Sequence, residues 1–298
     1  MRSVRGLNLR SRRRRRVGGY DSAMTESSHD PVPVDHYRVD PASFGGIDSI
    51  DSNANGGYDK ASAKPVMKAL NARVEELQEH LYAHGKERLL CVLQATDTGG
   101  KDGTIRAVFD RTNPQGVHVA SFKKPTSEEL AHDYLWRIHQ HTPAKGHITV
   151  FNRSHYEDVL VVRVRELVEE EVWRKRYEHI RNFEQLLADE GTTIVKIYLH
   201  ISKDEQRERL QARIDNPAKH WKFEMGDLEE RKLWGDYQAA FGDMLTETST
   251  PDAPWYVVPA NRKWYRNIVI SQILVNTLES IADYDFPPDP ELVGLKIT

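Results

Sequence analysis

The sequence holds a single cysteine, Cys91, in 298 residues, which excludes a disulfide framework and the small secreted scaffolds that depend on one. No apolar run approaches the roughly 20 residues of a membrane span. The basic N-terminal segment is not followed by the apolar stretch a secretory signal requires. His132, His139 and His141 have no cysteine and no helical His-x-x-x-His pairing beside them, so they are expected as surface or satisfied residues rather than zinc ligands. No nucleophile triad and no internal repeat is visible. These absences point to a reducing, cytoplasmic setting and away from membrane, zinc and covalent-nucleophile chemistry.

What is present is ordinary for a soluble protein: 29% charged and 39% hydrophobic residues. The length suits one large α/β domain or two small ones, with a sizeable core. The net charge of −3 is unevenly spread, because eight arginines and one acid precede residue 24. The run Arg12 to Arg16 lacks interleaved aromatics and a fold, so nucleic acid is not expected as a partner. Met24 offers an alternative start, and residues 1–23 are expected to be either an artefact of gene-start choice or a disordered extension.

The stretch from Leu89 to Phe109, LLCVLQATDTGGKDGTIRAVF, reads as a buried strand, a glycine turn and a helix start. Leu89 to Leu93 form the continuous apolar run of a parallel strand covered on both faces. Ile105, Val108 and Phe109 follow at helical spacing. Between them Gly99, Gly100 and Gly103 let the backbone approach a ligand while the first helical amides stay unpaired, which makes an anion site. The pattern departs twice from G-x-x-x-x-G-K-[ST]: Ala95 replaces the first glycine, and Asp102 follows Lys101 where a hydroxyl would hold magnesium. Asp97 is expected to supply the missing metal oxygen, with the Thr104 hydroxyl nearby and Arg106 one turn further on.

Residues 24–57, rich in Ser, Asp, Pro, Gly and Asn, read as a disordered or extended arm. The catalytic domain is expected over 58–288, with 289–298 as a tail and Pro287-Pro288 ending the fold. Met67, Leu70, Val74, Leu77 and Leu81 mark an amphipathic helix stopping near Gly85. After the cradle come a strand over Val117 to Phe122 ending in Lys123 and Lys124, and a helix capped by Thr126 and Glu129 with Leu130, Tyr134, Leu135 and Ile138 on its inner face. A third strand, Ile148 to Phe151, runs into Asn152-Arg153-Ser154-His155-Tyr156-Glu157-Asp158. Ligands bind at the carboxyl ends of such strands. Asn152 stands where an aspartate would organise metal, so Glu157 or Asp158 is expected to carry that charge, and Arg153 to clamp a phosphate.

A long helix with Ile180, Phe183, Leu186 and Leu187 leads to a fourth strand, Thr193 to Ile201. Ser202 and Glu205 suggest another capping box. A basic lid is then expected at about 203–226, carrying Arg207, Arg209, Arg213, Lys219 and Lys222 around a break at Asn216-Pro217, with Trp221 shutting the lid or stacking on a base. Asp227 and Glu230 open a helix bearing Trp234, Tyr237, Phe241 and Leu245. A fifth strand, Trp255 to Val258, precedes a last helix from Trp264 with Ile268, Ile273, Leu274, Leu278 and Ile281 inside. Strands alternating with helices in this order predict an α/β, P-loop kinase-like three-layer sandwich with a five-stranded parallel sheet and a helical lid.

The runs LQATDTGGKDGTI, NPQGVHVASFKKPTSEELAHDYLWRIH, FNRSHYEDVLVVRV and WYVVPANRKW resemble the polyphosphate kinase 2 family over roughly Tyr58 to Pro287. The resemblance implies phosphoryl transfer between inorganic polyphosphate and adenine or guanine nucleotides. By it, Asp97 helps hold magnesium, or manganese in its place; Lys101 and Arg153 contact the reacting phosphates; and the lid arginines, Arg213 among them, grip the phosphate chain. Asn152 and Glu157 are second candidates for organising metal or nucleotide. The Asn-Arg-Ser-His-Tyr-Glu-Asp form is similar to the subgroup acting on both AMP and ADP. A homodimer or homotetramer is implied as well. Two readings of another class stay open on the residues alone: an ATP-dependent nucleoside or metabolite kinase, and a non-catalytic polyphosphate- or nucleotide-binding protein.

Overall fold

The computed structural model describes residues 32–281 and 289–297. The arginine run, Met24, the start of the arm and Pro287-Pro288 lie outside these described residues. In chain order the regular elements are α1 (Ala63–His84), β1 (Arg88–Ala95), α2 (Lys101–Val108), β2 (Val117–Ser121), α3 (Ser127–Leu130), α4 (Trp136–His139) and β3 (Ile148–Asn152). They continue with α5 (Glu157–Val164), α6 (Glu170–Asp189), β4 (Thr192–His200), α7 (Lys203–Ile214), α8 (Gly226–Lys232), α9 (Trp234–Thr248), β5 (Trp255–Pro259) and α10 (Lys263–Ile281).

The strands form one five-stranded sheet in the order β2-β3-β1-β4-β5, and every pairing is parallel. Parallel pairing requires crossovers, so helices cover both faces. α1, α2 and α10 pack together on one side, and α5, α6 and α9 on the other. β1 lies at the centre, and its residues Leu89, Leu90, Cys91, Val92 and Leu93 are all at most 1% exposed. Burial from both sides is what makes this strand a continuous apolar run rather than an alternating one. The register pairs Leu93 with Asn152, which brings the ends of β1 and β3 side by side.

α1 ends as its sequence predicts, with Gly85 left-handed at φ 65° and its amide donating to the Leu81 carbonyl. Three local expectations fare differently. The predicted helix after Thr126 keeps its capping box but breaks at His132-Asp133, where the Asp133 carboxylate accepts from the amides of Leu135 and Trp136 and starts α4. Leu130 is left exposed, while Ile138 is buried. The helix expected from Asp227 to Leu245 breaks at Leu233 into α8 and α9. In α6 the buried stripe is Trp173, Tyr177, Ile180, Phe183, Glu184 and Leu187, and Leu186 faces solvent.

Of the arm expected to be disordered or extended, residues 32–57 lie packed on the domain. Val32, Val34, Tyr37, Val39, Ile47 and Ile50 are buried in the core. The Val39 amide donates to the Trp255 carbonyl at 2.8 Å and Arg38 bridges Tyr256 antiparallel, so the segment covers the free edge of β5. Tyr37 and Tyr265 share a hydroxyl hydrogen bond of 2.7 Å. The segment lacks a long period because its regular pieces are short 3-10 turns, Asp35–Tyr37 and Ile47–Ser49.

Candidate active site

β1 ends at Ala95, and the chain turns through Thr96 to Gly100 before α2 begins. Two tight approaches explain the glycines. A Cβ on Gly99 would strike the Ala95 side chain and lie 2.9 Å from the Thr96 carbonyl oxygen. Gly100 has φ 103° and packs against the Arg266 guanidinium. Lys101 opens α2 and folds back, its Nζ donating to the Ala95 carbonyl at 3.2 Å. Burial and neighbouring Arg153 pull the Lys101 ammonium down to about 8, against the opposing pull of Asp97, Glu157 and Asp102.

Two non-glycine residues at this site hold positive φ: Thr98 and Arg153, both at 63°. Such backbone costs on the order of 1–3 kcal/mol each and marks a functional constraint. At Arg153 the amide extends the ladder by donating to the Leu93 carbonyl at 3.1 Å. The left-handed turn then sends the side chain back over β1, where Nη2 donates to Asp97 Oδ1 at 3.1 Å. Burial works against the guanidinium charge, but Glu157 and Asp97 hold its pKa above the ordinary value. Asp97, Lys101, Arg153 and Glu157 therefore lie together where β1 and β3 end.

The position after Lys101 is resolved too. Asn152 Nδ2 donates to Asp102 Oδ1 at 2.8 Å, and lid Lys222 lies 4.0 Å from the other oxygen. Asp102 is thus a charged acceptor shared by the end of β3 and Lys222. Asp227 at the start of α8 also belongs here: burial first and then Asp97 raise its carboxyl, and Arg213 pairs with it at 3.5 Å.

Several expected roles change. The Thr104 hydroxyl is buried and donates to the Gly100 carbonyl at 3.1 Å, back into its own helix. Asp158 is locked by Arg176 at 3.2 Å and burial pushes its carboxyl up to about 6, which leaves Glu157 as the acid facing the site. Glu205 does not close a capping box with Ser202; the Ser202 hydroxyl accepts from the Glu205 amide, but the carboxylate bonds Arg209 instead. Arg207 points outward to Asp204. Arg106, Lys123 and Lys219 are exposed, and among the described residues no contact ties their side chains to the loop. Trp221 is 78% exposed, with Lys222 over its ring.

Arg209 is the largest change. Its guanidinium donates to Glu205, to the carbonyls of Thr98 and Gly99 at 3.0 Å each, and to those of Ala260 and Asn261. Every N–H is engaged beneath the loop, so none is left for a phosphate.

Sequence reading also missed what holds the Arg153–Glu157 loop. Lys196 of β4 and Glu184 of α6, both at most 2% exposed, pair at 2.6 Å. The Tyr156 hydroxyl donates to Glu184 at 2.7 Å, and His155 Nε2 lies 3.3 Å from the same oxygen. Ser154 caps the turn, accepting from the Tyr156 amide and from Gln94. Ser154, His155 and Tyr156 therefore anchor the loop and leave chemistry to its ends. The signal was available: a lysine inside the apolar run Ile194-Val195-Lys196-Ile197, and a glutamate in phase with Tyr177, Ile180 and Leu187.

Among the described residues no three of His, Cys, Asp and Glu converge closely enough to hold a metal ion by themselves. Asp97, Glu157 and the Asn152 amide offer hard oxygen donors, and the Thr96 and Thr98 hydroxyls are buried without a protein partner. That donor set fits a cation such as magnesium, which keeps several waters and takes further oxygens from phosphate.

A family model described as polyphosphate kinase 2 matches residues 57–285. The AMP/ADP-polyphosphate phosphotransferase of Meiothermus ruber is 58% identical over 264 residues, 88% of this chain and 98% of that one. The ADP-polyphosphate phosphotransferase of Rhodopseudomonas palustris is 49% identical over 221 residues, 70% of this chain and 76% of its own. The crystal structure of polyphosphate kinase 2 from Arthrobacter aurescens superposes with a TM-score of 0.81 at 45% identity, covering 88% of this chain and 96% of that chain. With a glycine turn after β1 facing an Asn-Arg turn after β3 on one parallel sheet, and with a family model that spans both, the chain belongs to the polyphosphate kinase 2 family.

Proposed function

We propose that the protein moves a phosphoryl group between inorganic polyphosphate and nucleotides, making ATP from ADP and ADP from AMP. The observation that carries the reading is the convergence of Lys101, Asp97 and Arg153 across the ends of β1 and β3. Phosphoryl transfer needs positioning and charge neutralisation more than a covalent group. Lys101 neutralises the transferring phosphate from the cradle, and Arg153, aimed by its left-handed turn, braces it from the β3 side. Arg213 and Lys222 of the lid hold the following phosphates and exclude water. The nucleotide oxygen is already anionic, so no strong general base is required. Asp97, with Glu157 and the Asn152 side-chain amide oxygen, would hold a divalent cation, which would supply charge neutralisation to the transferring phosphate.

That cation is magnesium, with manganese able to replace it, since the donors are oxygens alone. Asn152 in place of a carboxylate supports acceptance of both AMP and ADP, as does the resemblance to a Meiothermus ruber protein named for both. We place the enzyme in the cytoplasm, as a homodimer or homotetramer; among the described residues no helix is long and apolar enough to cross a membrane.

Phosphorus NMR with polyphosphate, magnesium and no added ATP tests the reading, first with ADP and then with AMP. ATP is expected from ADP, and ADP from AMP. Lys101→Ala should lower turnover by at least about 100-fold, the scale of losing one preorganised charge at the transition state, with the thermal unfolding curve preserved. Turnover near wild type in that variant would remove Lys101 from the mechanism, and ligand binding without any turnover would make the chain a binding protein.

A further inference from the structure

Two guanidinium groups meet the carbonyls of the phosphate loop. Arg209 Nη1 takes the carbonyls of Thr98 and Gly99 at 3.0 Å, and Arg266 Nη1 takes that of Gly100 at 3.4 Å. Three consecutive carbonyls thus meet a guanidinium, the last of them also accepting from the Thr104 amide at 2.9 Å and hydroxyl at 3.1 Å. In a planar trans peptide the carbonyl of one residue and the amide of the next point in opposite directions. The Gly99 amide is spent on the Thr96 carbonyl. The amides of Gly100 and Lys101 follow clamped carbonyls, so they are turned away from the two guanidinium groups, and among the described residues no backbone acceptor meets either outside the helix.

We propose that Arg209 and Arg266 are positioning residues for phosphoryl transfer, a clamp that fixes the direction of the phosphate-loop amides without touching phosphate. The inference rests on reading residues 96–104 as the phosphate cradle. Arginine is needed at 209 because one planar fork must meet Glu205, two loop carbonyls and the Ala260 and Asn261 carbonyls together. A lysine has three donors on a single nitrogen and cannot span them.

Arg266 is 2% exposed, and its acceptors are the Gly100 carbonyl and the Asn267 side-chain oxygen, neither of them charged. A buried cation without a carboxylate is costly unless something offsets it, and an anion across the loop does so. Arg209 also sits on α7, the base of the lid, and bonds the end of β5. The clamp therefore joins the loop, the lid and the last strand, so that lid position and amide direction are set by one side chain.

The test compares Arg209→Lys and Arg209→Gln with Arg213→Gln in the full chain. Polyphosphate kcat/KM is measured over a range of potassium chloride concentrations, with thermal unfolding recorded for each. A phosphate-contacting cation releases counterions, and its loss lowers the salt slope of log kcat/KM by about one. For the clamp, Arg209→Lys should lose as much as Arg209→Gln, about tenfold to 100-fold in kcat/KM, with the salt slope of the parent. Arg213→Gln should lower the slope. Near-parental activity in Arg209→Lys, or a slope lowered by about one, would overturn the clamp and make Arg209 a phosphate ligand. If the Arg209 variants do not fold, Arg266→Lys and Arg266→Gln are read by the same two measures with the same outcomes. Lys101→Ala separates the underlying reading: if it keeps parental kcat/KM, the cradle itself fails; if it loses activity while Arg209→Lys does not, only the clamp fails.

Discussion

At the scale of single residues, the site is a balance of close charges in which Lys101 is the sensitive member. Its ammonium titrates at about 8 in the folded protein, first because of burial and then because of Arg153. The charged form dominates below that value and disappears above it. kcat/KM reports the free enzyme, so polyphosphate kcat/KM should be level below pH 8 and fall about tenfold per unit above it. The sign for stability is opposite. Between about 8 and the ordinary lysine value of 10.5 the unfolded chain binds the extra proton, so Lys101 contributes a rise in stability with pH over that window. A pH series of initial rates beside chemical denaturation checks both. An alkaline limb starting near 10.5 would show that Lys101 is not desolvated.

Elements carry the next level, because each site residue is delivered by a strand end and held by something behind it. The buried Glu184–Lys196 pair ties α6 to β4 and takes the Tyr156 hydroxyl at the root of the β3–α5 turn. Glu184→Gln leaves a buried ammonium unmatched and should cost about 3–5 kcal/mol in urea unfolding. Adding Lys196→Met should recover part of that loss, and strict additivity of the two would argue against coupling. How far the elements were legible follows the same logic. The five strands, the glycine turn and the long helices show in the sequence because burial on both faces, helical phase and caps are local signals. The breaks at Asp133 and Leu233 do not, since the apolar spacing runs on through both. Asp97, Lys101, Arg153 and Glu157 were legible from strand-end position. The fate of Arg209 was not: a cation on a basic helix reads as a ligand until the carbonyls that it meets, over 50 residues away in sequence, are placed beside it.

Considered as a whole molecule, the fold is finished by residues without regular structure. The segment 32–57 covers the β5 edge and places six apolar side chains in the core: Val32, Val34, Tyr37, Val39, Ile47 and Ile50. At about 1.5–3 kcal/mol for each buried side chain, their sum rivals the 5–15 kcal/mol of net stability that a domain of this kind possesses. A chain beginning at Tyr58, which retains every site residue, should therefore fail to fold cooperatively. Circular dichroism during heating measures this directly, and a sharp transition close to that of the full chain would mean the segment only decorates the edge.

The central strand has one more consequence, for spectroscopy. Cys91 is the sole thiol and lies at the middle of the sheet with 0% exposure, its thiol pushed up to about 12 by burial. Native molecules therefore hide their only nucleophilic sulfur, and reagents meet it only when β1 opens, so its labelling rate counts openings of the whole sheet. A cysteine placed at exposed Lys219 would react alone, giving a fluorophore on the lid against a silent background.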